Sequence, residues 1–199
     1  MPQKLVLASG SGIRRQMLEN AGVSFEVSLP RVDEDAVRQS LLAEAASPRD
    51  IADALAELKA RKVSTRMPGA LVLGCDQVLS FDGQIMAKPS SRADAEQQLR
   101  QLRGARHQLL SAAVIYEDGQ PLWRFVGTVR LQMRDFSDSF LTAYLDRNWP
   151  DISNSVGGYK LESEGVRLFT RVDGDYFTVL GMPLLEILSY LTLRGDLQQ

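Results

Sequence analysis

The apolar and polar positions in the first third of the chain predict alternating strands and helices. Residues 4 to 8 (KLVLA) form an apolar run typical of a buried strand, and the polar loop SGSG then leads into a helix that should stop at Gly22. Residues 25 to 29 predict a second strand and residues 36 to 46 a second helix. A longer helix should begin at Ser47-Pro48, an N-cap followed by a proline at the first helical position, and run to about residue 66.

Three Asp-Gly pairs in the remaining sequence favour β-hairpins over a purely parallel sheet. The apolar run of residues 71 to 81 (LVLGCDQVLSF) predicts a buried strand, and Asp82-Gly83 suits the positive φ angles of a tight turn. Asp118-Gly119 and Asp173-Gly174 also separate strand-like runs. Further helices are expected over residues 92 to 102, started by Ser91, over residues 138 to 147, started by Ser137, and after Pro183. We therefore expect an α/β fold, with a mixed sheet and flanking helices, in one domain over residues 1 to 199.

Composition and charge exclude several classes of function. The chain has 199 residues, 44% of them hydrophobic, and a formal net charge of -2, so nothing favours binding to nucleic acid or to an anionic membrane. Charged residues interrupt every apolar run before it could span a bilayer, and we expect a cytoplasmic protein. One cysteine, Cys75, and one histidine, His107, cannot form an internal disulfide or a zinc site of several Cys and His ligands.

The loop SGSGIRR could bind phosphate. Ser9 and Ser11 lie between a strand and a helix N-terminus, where free backbone N-H groups and the helix dipole attract anions, and Arg14 could add a bidentate contact. The alternative is a serine that caps the helix, with arginines in solvent. The loop lacks the Gly-Lys-Ser/Thr of a P-loop.

Asp76 is the most unusual residue, because it interrupts a buried apolar strand. A buried carboxylate costs several kcal/mol unless a cation or hydrogen-bond donors compensate for it. It is either a metal ligand or general base, or a structural carboxylate bonded to backbone amides. Lys59 lies near the edge of its helix's apolar stripe, and Lys88 precedes a proline; both are ordinary surface lysines in isolation. A thiol nucleophile formed by Cys75 with His107 is disfavoured, since buried cysteines are usually inert.

Five segments in order resemble the Maf nucleoside triphosphate pyrophosphatases, also described as septum-formation inhibitor homologues. The matching segments are LASGSGIRRQML, RVDED, ALAELKARKV, GCDQVLSFDGQIMAKP and GGYKLESEGVRLFTRVDGDYFTVLGMPL. The resemblance implies an inosine-triphosphatase-like (Maf/Ham1-type) fold with a nucleotide cleft. It also implies a homodimer, and a house-cleaning hydrolase (a nucleoside triphosphate diphosphatase) that converts a nucleoside triphosphate to the monophosphate and pyrophosphate.

The resemblance also implies roles for individual residues. Phosphates would be held by Ser9, Ser11 and Arg14, and the catalytic set would be Glu34, Lys59, Asp76 and Lys88. Asp76 would be the general base, and Glu34 and Asp76 would hold a divalent cation, Mg²⁺ or Mn²⁺. Substrate specificity would depend on Arg14, Gln77 and Glu162. Gln77 and Glu162 are more similar to the branch that acts on 7-methyl-GTP than to the dTTP/UTP branch.

The sequence departs from the family pattern at three places and leaves other functions open. Gly12-Ile13 stands where Pro-Arg is common, Asn154-Ser155 replaces a frequent Asp-Lys, and Ser163 replaces a frequent glycine.

One alternative function is a nucleotide-binding regulator of cell division without turnover, although a pure anion binder gains nothing from two extra carboxylates. A small-molecule phosphatase is the other alternative, and no phosphatase nucleophile motif supports it.

Overall fold

The computed structural model describes residues 4–198 and divides them into two compact units. Unit 1 contains the chain up to Gln77, Leu110–Gly127 and the chain from Asp175 onward, and unit 2 contains Val78–Leu109 and Thr128–Gly174. The strands are β1 Leu5–Ala8, β2 Phe25–Val27, β3 Leu71–Phe81, β4 Gln84–Met86, β5 Arg106–Glu117, β6 Gln120–Met133 and β7 Phe169–Asp173. The α-helices are α1 Gly12–Asn20, α2 Glu34–Ala43, α3 Pro48–Ser64, α4 Arg92–Leu102, α5 Asp138–Asn148, α6 Tyr176–Val179 and α7 Leu184–Arg194.

The strands form a mixed sheet with the hydrogen-bonded order β2-β1-β3-β5-β6-β7, and β4 pairs with β3. β1 is parallel to both β2 and β3, whereas β4 is antiparallel to β3 and β7 is antiparallel to β6. The predicted α/β class with a mixed sheet and flanking helices is confirmed. The prediction of a single domain over residues 1 to 199 stays a prediction, and its first three residues and its last lie outside the described part.

Unit 1 has helices on both faces of its strands. On one face, Leu71, Leu73 and Cys75 of β3 join an apolar cluster with residues of α1 and α7. On the opposite face, α3 approaches β3 so closely that a Cβ at Gly74 would lie 2.2 Å from the carbonyl oxygen of Ala56. Because side chains alternate along a strand, residue 76 belongs to the face that α3 covers.

Unit 2 is built around an aromatic cluster. Nε2 of His107 in β5 and the Tyr159 hydroxyl share a 2.8 Å hydrogen bond. The Tyr159 ring packs edge-on against Phe169, with 4.8 Å between the ring centres. The Tyr144 hydroxyl of α5 donates to the carbonyl of Gly158. Burial lowers the pKa of His107 to about 4 and raises the pKa of Tyr159, so this cluster is neutral at pH 7.

Two of the three predicted hairpin turns are confirmed, and the third is wrong. Asp82-Gly83 and Asp118-Gly119 have the positive φ angles of a tight turn and connect β3 to β4 and β5 to β6. After Asp173-Gly174, however, the Asp175 carboxylate accepts a 2.7 Å hydrogen bond from the Thr178 amide and starts α6. The capping aspartate directly after the glycine favours a helix over a returning strand.

Helix boundaries agree with the sequence to within a few residues. Ser47, Ser91 and Ser137 each cap the helix they were expected to begin. The second helix begins at Glu34 rather than at residue 36, because the Asp33 side chain caps the Ala36 amide. Across residues 4–198, none of the helices combines the length and the apolar composition needed to cross a bilayer.

Candidate active site

Asp76 lies inside β3 with α3 packed directly over it. The glycine two positions earlier, Gly74, permits this contact, because a Cβ there would also come within 2.6 Å of the Ala60 amide nitrogen. Lys59 is the α3 residue between Ala56 and Ala60 on the chain, and only 5% of it is exposed. The close approach of helix and strand therefore places an ammonium group beside the buried carboxylate, and the glycine at position 74 is the sequence feature that permits it.

Lys59 forms ion pairs with both acidic residues of the predicted catalytic set, Asp76 and Glu34. Its Nζ lies 2.7 Å from Oδ1 of Asp76 and 2.9 Å from Oε2 of Glu34, the first residue of α2. The side chains of Lys59 and Asp76 are each 7% exposed, whereas that of Glu34 is 37% exposed. Two carboxylates and one ammonium leave one negative charge uncompensated within the trio. The structural alternative for Asp76, bonding to backbone amides at a strand end, is not what is found.

The second carboxylate oxygen of Asp76, Oδ2, is buried and has no hydrogen-bond partner among the described residues. A buried carboxylate oxygen without a partner costs free energy, and water or a cation would satisfy it. Magnesium is commonly held by one or two carboxylates together with substrate phosphate oxygens. Asp76 and Glu34 fit that donor set, and the part of the chain that the structure describes has no group of three or more Asp, Glu, His or Cys side chains that could hold a metal without substrate.

The predicted phosphate loop connects β1 to α1, whose third residue is the buried Arg14. Ser11 caps α1, and Oγ of Ser9 accepts hydrogen bonds from the Ser11 amide at 3.2 Å and from Nη1 of Arg14 at 3.4 Å. Arg14 is only 9% exposed; its Nη1 also donates to the carbonyl of Cys75 at 2.9 Å, and its Nε donates to that of Gly181 at 2.8 Å. The loop thus combines the two interpretations of its sequence: a capping serine, and an arginine that lies beside Ser9 instead of in solvent.

Gln77 is held by three acceptors on the other face of β3. Its Nε2 donates to Oγ of Ser111 at 2.9 Å and to the carbonyl oxygens of Thr178 and Val179 at 3.1 and 2.9 Å. Sequence reasoning missed Ser111, Thr178, Val179 and Gly181 as residues around the candidate site. Three of the four contribute backbone carbonyls, which any residue type supplies, so their side chains gave no signal.

Lys88 and Glu162 belong to unit 2 and are both exposed. Lys88 follows β4 and precedes the buried Pro89, so its backbone position is fixed while its side chain is in solvent. Their predicted roles in catalysis and specificity stay predictions.

Cys75 and His107 have the properties of structural residues. Burial raises the pKa of the Cys75 thiol to about 11, and burial lowers the pKa of His107 to about 4. A thiol with so high a pKa forms almost no thiolate at pH 7. The expectation that they do not act as nucleophile and base is consistent with these values.

Comparison with known proteins gives matches over nearly the whole chain. The family model described as Maf-like protein matches residues 4–193. A nucleoside triphosphate pyrophosphatase of Ruegeria pomeroyi is 64% identical over 195 residues, which cover 98% of each chain. A 7-methyl-GTP pyrophosphatase of Brucella abortus is 44% identical over 191 residues, 96% of each chain. Among solved structures, a HAM1 protein from Coxiella burnetii is 17% identical with a TM-score of 0.43, covering 67% of this chain and 74% of that one.

Proposed function

Since the chain belongs to the Maf-like protein family, we propose that it is a nucleoside triphosphate pyrophosphatase, a hydrolase that releases a nucleoside monophosphate and pyrophosphate. The relatives with the general name support the activity. The observation that carries the proposal is the ion-paired trio of the buried Lys59 and Asp76 with the partly exposed Glu34. In unit 1 a buried ammonium contacts one buried and one partly exposed carboxylate, and this arrangement supports the proposal.

Asp76 is the general base in this proposal. Lys59 occupies its Oδ1, so Oδ2 is the oxygen that takes a proton from the water attacking the α-phosphorus. Lys59 keeps the carboxylate oriented and, near the triphosphate, offsets negative charge that develops in the transition state. Asp76 and Glu34 are the residues that would hold Mg²⁺ or Mn²⁺. A bound divalent ion supplies charge neutralisation of the phosphoryl oxygens.

The phosphates are proposed to bind at the loop before α1. Ser9 and Ser11 stand at the N-terminal end of a nine-residue helix, where backbone N-H groups attract anions. Arg14 supports the loop through its hydrogen bond to Ser9. The positive charge that the family often has at residue 13 is absent here, so Lys59 and Arg14 are the cations of this unit that we assign to the phosphates.

We propose that the substrate carries a modified guanine base, as 7-methyl-GTP does. This proposal is supported by Gln77, by Glu162, and by the 44% identical Brucella relative whose name specifies 7-methyl-GTP. The relatives of higher identity carry the general name only. A glutamate accepts N-H donors and complements the positive charge of a 7-methylated ring.

The experiment is a nucleotide panel with the purified chain and Mg²⁺ or Mn²⁺, including 7-methyl-GTP, GTP, dTTP and UTP. We expect pyrophosphate and the matching monophosphate in equal amounts, with 7-methyl-GTP cleaved at the highest kcat/KM. Release of orthophosphate alone would contradict the activity. Binding of triphosphates without any turnover would favour the alternative of a nucleotide-binding regulator.

A further inference from the structure

The segment Thr178–Gly181, which comprises the last two residues of α6 and the two that follow, holds two of the residues that the proposed function uses. The carbonyls of Thr178 and Val179 accept from Nε2 of Gln77, and the carbonyl of Gly181 accepts from Nε of Arg14 at 2.8 Å. Arg14 also donates, through Nη1, to the carbonyl of Cys75 in β3. One short segment therefore fixes two side chains next to Asp76. Gln77 follows Asp76 in β3, and Arg14 bonds to the backbone of Cys75, the residue before it.

The hydrogen bonds determine which atoms of Gln77 remain for a ligand. Two of its three partners are carbonyl oxygens, which only accept, so the amide nitrogen must point toward the segment. Ser111 completes the arrangement: it is fully buried, accepts from Gln77 and donates to the Thr178 carbonyl at 2.7 Å. The carboxamide oxygen of Gln77 is consequently held in one orientation as an acceptor.

Gly181 is required where the segment contacts Arg14. Its φ angle is 101°, which side-chain-bearing residues rarely adopt, and a Cβ there would lie 3.2 Å from Nη2 of Arg14. A larger residue would push the guanidinium away from the carbonyls that hold it. The glycine thus permits a backbone carbonyl to approach a buried cation.

We propose that Thr178–Gly181 is a positioning element for nucleotide selection. It sets the orientation of Gln77, which follows Asp76 in β3, and that of Arg14, which bonds to the backbone just before Asp76. Ser111 and Gly181 are its positioning residues. The inference rests on the proposed function, because selection is defined by the triphosphates that are cleaved. It adds that selectivity depends on residues that need not touch the base.

Two variants and two matched controls test this inference. Gly181→Ala disturbs Arg14, and Ser111→Ala removes one acceptor from Gln77. Gly195→Ala is the control for the first, because Gly195 also has a positive φ, 88°, but a Cβ there would meet nothing within 4 Å. Ser64→Ala is the control for the second. Ser64 is a buried serine at the C-terminal end of α3, and its hydroxyl accepts a hydrogen bond from the Gly119 amide.

For each variant, kcat and KM are measured on the nucleotide panel, together with thermal unfolding and calorimetric binding of α,β-methylene triphosphates. We expect Ser111→Ala to raise KM and to reduce the kcat/KM ratio between the best and poorest substrates by about three- to tenfold, the effect of one neutral hydrogen bond. Gly181→Ala should change the same ratio by about tenfold or more, since a charged group is displaced. Both controls should lower the unfolding temperature while keeping the parental ratio.

The outcomes separate the inference from the proposed function. If the parent cleaves triphosphates and both site variants keep its KM and its selectivity, the positioning role is wrong and the pyrophosphatase activity stands. If the parent binds the methylene analogues with base selectivity that the site variants lose, but cleaves none of the triphosphates, the activity is wrong and the positioning role stands. If it neither binds nor cleaves them, both are wrong.

Discussion

Two buried polar pairs, one in each unit, differ in charge although their geometry is similar. In unit 1, Lys59 Nζ lies 2.7 Å from Asp76; in unit 2, His107 Nε2 lies 2.8 Å from the Tyr159 hydroxyl. Each pair leaves one buried atom without a partner among the described residues, Oδ2 of Asp76 and Nδ1 of His107. The first pair carries full charges, whereas burial keeps the second neutral.

The difference separates a candidate catalytic pair from a structural one. Two charges taken out of water lose several kcal/mol of hydration, and their attraction recovers it only with good geometry and further hydrogen bonds. A neutral histidine bonded to a tyrosine within an aromatic cluster costs far less. A buried ion pair with one unpaired carboxylate oxygen therefore contributes little to stability, and that oxygen is well suited to accept a proton or a cation.

The largest expected effect is that of removing the charge from Asp76. In Asp76→Asn the carboxamide keeps the shape but cannot accept a proton, so kcat should fall about 10²- to 10⁴-fold. The matched control is Asp53→Asn in α3, because Asp53 also forms an ion pair, with Arg124, and also has a buried oxygen without a partner among the described residues. Steady-state kinetics should show parental kcat in the control; parental kcat in Asp76→Asn would refute the general-base assignment.

Removing the cation from the charged pair should destabilise the fold more than breaking the neutral pair. Lys59→Met leaves the Asp76 carboxylate buried without its ion pair and should cost about 3 to 5 kcal/mol of unfolding free energy. Tyr159→Phe removes one neutral hydrogen bond, which is worth about 1 kcal/mol. Urea unfolding at pH 7 measures both. Adding Asp76→Asn to Lys59→Met should recover part of the loss, and equal costs for the two single variants would contradict the comparison.

The neutral pair gives a pH dependence of stability. The pKa of His107 is about 4 in the folded protein and about 6.5 when unfolded, so only the unfolded chain takes up a proton as the pH falls through 6.5. The free energy of unfolding should therefore drop by about 2 kcal/mol between pH 7 and pH 5. His107 is the only histidine, so His107→Gln should remove most of this drop. An unchanged drop in that variant would show that His107 is not buried in neutral form.

The smallest effect is expected at Cys75, whose side chain belongs to the apolar cluster of unit 1. Cys75→Ala should keep the parental kcat and lose about 1 kcal/mol of stability through reduced apolar burial. The native thiol should react with iodoacetamide at pH 8 far more slowly than a free cysteine, because its pKa is about 11. Loss of kcat beyond the loss of folded protein would instead indicate a thiol nucleophile.

Local chemistry predicted the helices and most turns well. The serines at 47, 91 and 137 identified their helix starts because an N-cap acts within three residues of itself. The pair Asp173-Gly174 failed as a hairpin signal because the next residue, Asp175, caps a helix. Where two short-range signals compete, the surrounding structure decides between them.

The candidate site was only partly predictable. The cost of burying Asp76 required a partner, and the family resemblance indicated Lys59 and Glu34 for the same site. Their contacts depend on helices that fold back onto β3. The hydrogen bond from Arg14 to the Gly181 carbonyl spans 167 positions of the chain and ends on a backbone atom. No residue pattern announces such contacts, because a carbonyl oxygen is present at every position.

The most direct measurement of the proposed reaction is the fate of the attacking oxygen. Hydrolysis of the preferred triphosphate in H₂¹⁸O, followed by mass spectrometry of both products, identifies the phosphorus that water attacks. We expect one ¹⁸O atom in the nucleoside monophosphate and none in pyrophosphate, since the proposed base, Asp76, would activate water toward the α-phosphorus. Label in pyrophosphate or in orthophosphate would contradict attack at that atom.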